Sequence, residues 1–201
     1  MRFIRNVSFF GHSEAKAGEP LYEEAYQTAR LLAKNGFVIV NGGGPGVMYA
    51  STKGANDVGG ETLSVTFDPT DAPGFEGRYL GNITTKEIKT SNYIERMFRL
   101  IEFGDTYIVF KGGTGTLSEF STIWCLARLY YGHHKPFILY GNFWKNIIKV
   151  FKDNMIVRGE EFKVFKIVNQ PHQVLEALEE METVFSKRLG HISFPKNPLK
   201  K

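Results

Sequence analysis

The chain has 201 residues, 42% of them hydrophobic, a formal net charge of +4 and one cysteine. That length suffices for one sizeable core, and no apolar run approaches the roughly 20 residues that a bilayer span requires. A membrane protein and a disulfide-stapled scaffold are thereby disfavoured, and the opening Met1-Arg2-Phe3-Ile4-Arg5-Asn6 lacks a leader's apolar stretch, so the expected setting is the cytoplasm.

Part of the positive excess lies in residues 191–201, read as a basic tail beyond a single domain of residues 1–190. No basic stripe is interleaved with aromatics, so nucleic acid is not an expected partner, and neither is a membrane. Cys125, between Trp124 and Leu126, is expected to be a buried core thiol.

Short β-rich runs alternate with amphipathic stretches, the pattern of a parallel sheet covered by helices on both faces. In chain order the pattern predicts a strand at 7–10, a helix at 21–35 stopped by Gly36, a strand at 37–41, a helix at 47–58 stopped by Gly59-Gly60, and a strand at 62–67. Residues 68–81 contain Pro69, Pro73, Gly74 and Gly77 and predict a long loop, followed by a short strand at 83–88. A helix at 92–103 ends at Gly104, and strands at 106–110, 136–140 and 164–168 alternate with helices at 117–131, 142–157 and 171–189. The fold class is α/β, a doubly wound parallel sheet in one domain.

Ligands in such sheets bind where strands end and helices begin, since helix starts expose unpaired N–H groups and a partial positive charge. Three such turns are rich in glycine or hydroxyl residues: Gly11-His12-Ser13, Gly42-Gly43-Gly44-Pro45-Gly46, and Gly112-Gly113-Thr114-Gly115-Thr116. The last follows the apolar run Tyr107-Ile108-Val109-Phe110 directly and is the best candidate for a phosphate cradle. It is not a Walker A motif, because it closes with Gly115-Thr116-Leu117 instead of Gly-Lys-Ser/Thr, and the turn at 42–46 lacks the G-x-G-x-x-G spacing of dinucleotide enzymes.

Glu119 lies three residues after Thr116 and has two readings of comparable weight: a capping-box partner of Thr116, or an acid turned towards the ligand. Arg96, early in its helix, opposes the helix dipole, which hints at a carboxylate or phosphate partner; by itself, a solvated surface residue or a pair with Glu95 is the simpler reading. The five histidines form no metal-ligand spacing, so neither a metal nor another cofactor is expected.

Taken together, Gly42-Gly43-Gly44-Pro45-Gly46-Val47-Met48, Glu95-Arg96 and Gly112-Gly113-Thr114-Gly115-Thr116-Leu117-Ser118-Glu119 resemble the LONELY GUY family, often mislabelled lysine decarboxylases. The resemblance runs from residue 7 to about 157 and takes in Lys135-Pro136 and Phe143-Trp144. It implies a Rossmann-like fold, a homodimer, and hydrolysis of the N-glycosidic bond of a cytokinin or purine nucleoside 5′-monophosphate to free base and ribose 5-phosphate. The family's catalytic pair would fall on Arg96 and Glu119, its phosphate loop on residues 112–116, and further ligand contacts on Gly11, Ser13, Gly43, Gly44, Gly46 and Met48. The usual M-H-x-R-K reads Tyr93-Ile94-Glu95-Arg96-Met97 here, the proline opening P-G-G is Lys111, and the serine pair after the first strand is His12-Ser13. A related branch of molybdenum-cofactor carriers binds without catalysing, which makes a non-catalytic nucleotide or cofactor carrier the alternative.

Overall fold

Seven parallel strands form one sheet in the order β4-β3-β2-β1-β5-β6-β7 in a computed structural model describing residues 3–68, 78–132 and 134–189. The strands are β1 Asn6–Phe10, β2 Val38–Asn41, β3 Thr62–Phe67, β4 Lys86–Thr90, β5 Thr106–Val109, β6 Phe137–Tyr140 and β7 Phe165–Val168. The helices are α1 Pro20–Lys34, α2 Val47–Asn56, α3 Tyr93–Phe103, α4 Thr114–Leu129, α5 Phe143–Asn154 and α6 Pro171–Leu189. The expected doubly wound, Rossmann-like single domain is the observed architecture. The 191–201 tail and most of the 68–81 loop lie outside the described residues.

The central strands are buried on both faces, as helix-covered parallel strands must be, and their side chains divide by alternation between two cores. Val7, Phe9, Ile39, Ile108, Phe110 and Tyr140 pack under α1, α2 and α6, whereas Phe10, Val40, Val65, Val109, Phe137 and Leu139 pack under α3, α4 and α5. Much of the aromatic content sits inside: Phe110 stacks between Phe9 and Tyr140, and Phe120 touches Trp124, Phe137, Trp144 and Phe151. Helices α1 and α2 cross closely because position 54 is glycine; a Cβ there would lie 2.2 Å from the Tyr26 carbonyl oxygen.

Winding reverses between β1 and β5, which are neighbours in the sheet, so the C-terminal ends of these two strands open a crevice at the switch point. Three boundaries differ from expectation by three residues, one of them the end of α5, which falls at Asn154 instead of 157. The edge strand β4 starts at Lys86, and Ile83 is exposed ahead of it. Helix α4 starts at Thr114, three residues before the predicted Leu117, which brings most of the glycine turn into its first turn. Cys125 is exposed, not buried. The Lys135-Pro136 pair has a structural role: the Lys135 ammonium donates to the carbonyls of Ile101 (3.0 Å), Glu102 (3.1 Å) and Gly104 (2.6 Å) and closes the C-terminal end of α3.

Candidate functional site

A cavity of about 540 Å³ occupies the switch point. Its floor is the end of β1 with Gly11, His12 and Ser13; one wall is α3 with Tyr93 and Arg96; the opposite wall is the start of α4, from Gly113 to Glu119. The strand ends are tied together, since the His12 N–H donates to the Lys111 carbonyl (3.0 Å) and the His12 carbonyl accepts from the Val47 N–H (2.9 Å). Gly46 makes the second contact possible, having φ 64° and standing where a Cβ would come within 2.2 Å of the His12 oxygen.

The first turn of α4, which borders the cavity, has no side-chain cap. Gly113 is the N-cap and no side chain accepts from the free amides; the first intrahelical bond runs from the Leu117 N–H to the Gly113 carbonyl (3.0 Å). The N–H groups of Thr114, Gly115 and Thr116 therefore precede the helix's own ladder and carry its positive end. Helix α3 handles its start differently. Asn92 accepts from the Glu95 N–H (2.9 Å), and Glu95 accepts from the Ser91 N–H (2.9 Å).

The placement of Thr116 overturns the capping-box reading. It is the third helical residue instead of the cap, so Glu119 sits in the second turn and cannot reach back as a box partner. Glu119 is only 8% exposed, lines the cavity, and accepts no hydrogen bond from any described residue. Burial pushes its pKa up to about 7, against the opposing pull of Arg96.

Arg96 is likewise not the surface residue that its dipole position suggested. It lies on the buried stripe of α3 with Met97, Leu100 and Ile101 and is 4% exposed. Its Nε donates to the Val65 carbonyl (3.1 Å) and its Nη2 to the Gly42 carbonyl (3.0 Å), lacing α3 to the ends of β3 and β2. Gly42 has to be glycine for this, as a Cβ would fall 1.6 Å from Nη2. Burial works against the guanidinium's charge, and Glu119 supports it.

The structure brings Gly11, Ser13, Met48, Arg96, Glu119 and four members of the glycine turn, Gly113, Thr114, Gly115 and Thr116, around one cavity. Gly43, Gly44, Gly46 and Gly112 stand behind its lining. Gly43 and Gly44 serve the turn itself: the Gly43 N–H donates to Asn41 Oδ1 (2.9 Å), and Asn82 Nδ2 donates to the Gly44 carbonyl (2.8 Å). Gly112 leaves room for Thr116, whose Oγ1 would lie 2.2 Å from a Cβ at 112. Met97 points away from the cavity into the α3–α4 contact, where the hydroxyls of Ser118 (3.5 Å) and Thr122 (3.9 Å) approach its sulfur. Sequence reasoning passed over Tyr93 and Ser118 as lining residues. The signal for Tyr93 was its i, i+3 spacing from Arg96, which puts both on one helix face. Among the described residues no group of three or more His, Cys, Asp or Glu side chains could hold a metal, and no described helix is long and apolar enough to cross a membrane.

Fold and cavity together define a doubly wound α/β protein with an uncapped helix start and a buried carboxyl at the sheet's switch point. The chain belongs to the SLOG cluster4 family, whose model it matches over residues 4–161. An uncharacterized protein of Archaeoglobus fulgidus is 33% identical over 101 residues, which are 50% of this chain and 62% of that relative's length. Among solved structures, the molybdenum cofactor binding protein of Rippkaea orientalis matches with a TM-score of 0.64 at 21% identity, over 89% of this chain and 97% of that one. The Moco carrier protein of Chlamydomonas reinhardtii matches with a TM-score of 0.62 at 17% identity, over 92% and 99%. At these identities the likeness to solved structures is one of fold.

Proposed function

We propose that this protein binds a nucleoside 5′-monophosphate, of the cytokinin or purine class, and hydrolyses its N-glycosidic bond in the manner of the LONELY GUY enzymes that the sequence resembles. The observation that carries the reading is Glu119: a carboxyl more than nine-tenths buried, without a hydrogen-bond donor among the described residues, facing a cavity beside an uncapped helix start. Burying an unsatisfied acid costs stability, and a ligand that develops positive charge next to it supplies the compensation.

In this reading the 5′-phosphate rests on the amides of Thr114, Gly115 and Thr116, and the ribose lies towards Glu119. Cleavage breaks the C1′–N bond, and its electron pair leaves with the base. The ribose passes through an oxocarbenium-like state that the Glu119 carboxylate stabilises, water oxygen bonds to C1′, and a proton from the water ends on the base. Arg96, held by the Val65 and Gly42 carbonyls, sets the field that keeps part of Glu119 ionised near neutral pH. The Gly11, Ser13 and Met48 side of the cavity takes the rest of the nucleotide.

The phosphate assignment is tested by Gly113→Asp. Gly113 has extended backbone (φ −94°, ψ −152°) and open space around its Cα, so aspartate fits and caps the amides itself. Its carboxylate should stabilise the helix by about 1 kcal/mol while displacing phosphate, so the melting temperature rises and AMP affinity falls at least about 10-fold. AMP affinity unchanged by this cap would place the phosphate elsewhere.

A non-catalytic carrier is the second reading. It is favoured by two matched folds described as a molybdenum cofactor binding protein and a Moco carrier protein, and by the commitment of Arg96 to backbone carbonyls. Incubation with a panel of nucleoside monophosphates, followed by assay for free base, separates the two.

The protein pairs with a second copy of itself through α4. Leu117, Ser121, Cys125 and Leu129 follow one another at i, i+4 spacing, all are exposed, and Ile94 and Phe98 of α3 are exposed as well. A symmetric pairing along this stripe would cover Cys125 and account for a partly apolar outer helix face. Light scattering after gel filtration should give twice the chain mass, and Leu129→Glu should halve it. A monomeric wild type would refute the pairing.

A further inference from the structure

The α3 wall carries a group that neither the family motif nor the proposed chemistry has used. Tyr93 opens α3, where the resembled motif has methionine, and its ring is fixed from several directions. Its backbone is the first helical residue behind the Asn92 cap, the ring meets the edge of Phe67 at 6.2 Å between centroids, and Arg96 Cζ lies 6.0 Å from the ring centroid. The hydroxyl reaches across the cavity to the other wall: a Cβ built on Gly115, the second residue of α4, would meet Tyr93 Oη at 3.4 Å and nothing else within 4 Å. It therefore lies beside the first turn of α4, next to the uncapped helix start. A side chain at 115 would crowd the space between them, and glycine leaves it open.

We propose that Tyr93 is a phosphate-recognition residue, its phenolic hydroxyl donating a hydrogen bond to a terminal oxygen of a phosphomonoester seated on the amides of Thr114, Gly115 and Thr116. The assignment rests on the phosphate reading above and adds the residue that distinguishes this chain's cradle. Three backbone donors from one helix face an anion from one side only. A phosphomonoester presents three terminal oxygens, and a rigid hydroxyl from α3 meets it from the opposite side, which a planar carboxylate would not fill. Burial and the nearby Glu119 push the phenol above its ordinary range, so the group remains a neutral donor at physiological pH. The positions of Arg96 and Tyr93, one turn apart on α3, then divide the work: Arg96 acts on Glu119, and Tyr93 acts on the phosphate.

The experiment is calorimetric titration of the full chain and of Tyr93→Phe with inorganic phosphate and with AMP, alongside Gly113→Asp. Phenylalanine keeps the ring and its contacts with Phe67 and Arg96, so the melting temperature should hold. Loss of one hydrogen bond to a charged group should weaken both ligands by the same factor, about 5- to 20-fold. Affinities within about two-fold of wild type would overturn the role of Tyr93 while leaving the cradle intact, provided Gly113→Asp still weakens binding at least about 10-fold. A loss for AMP with none for inorganic phosphate would also overturn it, since the hydroxyl would then be reading the nucleoside. Failure of the wild type to bind either ligand removes the cradle and the role together.

Discussion

Glu119→Gln will keep AMP affinity within about two-fold of wild type and slow base release on the order of 100- to 1000-fold. The amide matches the carboxyl in shape and burial, so the cavity and the helix start are preserved. What it loses is the charge that faces the developing oxocarbenium ion. Because the carboxyl is pushed up to about 7, wild-type turnover should climb with pH through neutrality as the carboxylate forms, and the residual rate of the variant should show no such rise. Equal losses in affinity and rate would make Glu119 a structural residue, and unchanged turnover would remove it from the mechanism.

The same substitution has a signature in stability whose sign follows from linkage. The folded chain holds the Glu119 proton more tightly than the unfolded chain, whose ordinary value is 4.5 against about 7 in the fold. The neutral carboxyl is therefore no burden below pH 4.5; stability falls between pH 4.5 and about 7, where the unfolded chain has released the proton and the folded chain still holds it, and the loss is complete above 7. Glutamine never ionises. Its unfolding free energy should match wild type near pH 4 and exceed it at pH 8 by an amount on the order of 3 kcal/mol, with a correspondingly higher melting temperature at pH 8.

Strand and helix order were legible because each rests on local pattern: apolar runs such as Tyr107-Ile108-Val109-Phe110 on buried strands, and glycines 36, 59 and 104 where helices stop. The start of α4 was not, because a glycine N-cap carries no side-chain signal, whereas Thr116-Leu117-Ser118-Glu119 imitates a capping box. Helical residues 114–116 leave their amides to solvent or to a ligand, and a helix start without a capping side chain leaves no trace in local sequence rules. Cys125 misled for a different reason. Its chain neighbours Trp124 and Leu126 are partly buried, but each is turned about 100° away on the helix, and the spacing to Leu117, Ser121 and Leu129 was the better guide to its exposure.

Among the site residues, the glycine turns and Glu119 could be found from composition at strand ends, while the environment of Arg96 could not. Its burial depends on two carbonyls, Val65 in β3 and Gly42 just beyond β2, that lie 31 and 54 positions away and meet it only once β3 and β2 lie side by side. Gly43 and Gly44 show the converse: a glycine-rich turn reads as ligand-binding, yet these two spend their amide and carbonyl on Asn41 and Asn82. The cavity inherits only Gly42 and Met48 from that turn.

The neighbouring pair Arg96 and Met97 gives the sharpest contrast between function and stability, since adjacent helical side chains point about 100° apart and these two face different surroundings. Met97→Ala removes a buried thioether from the α3–α4 contact and should cost about 2 to 4 kcal/mol in unfolding free energy. Arg96→Ala leaves the Val65 and Gly42 carbonyls without these donors and should cost a comparable amount, about 2 to 4 kcal/mol. Thermal melting will therefore not separate them, but turnover will. Without the guanidinium, nothing on the α3 wall opposes the burial of Glu119, so its pKa rises further, the carboxylate becomes scarce at pH 7, and the rising limb of the rate profile moves to more alkaline pH. Arg96→Ala should thus lose on the order of 100-fold in base release at pH 7 and recover part of it at pH 9, while Met97→Ala keeps the wild-type profile at temperatures below its melting transition. An Arg96→Ala profile that superimposes on that of Met97→Ala would show that Arg96 only braces the ends of β2 and β3, and Glu119 would then have to draw its ionisation from the ligand itself.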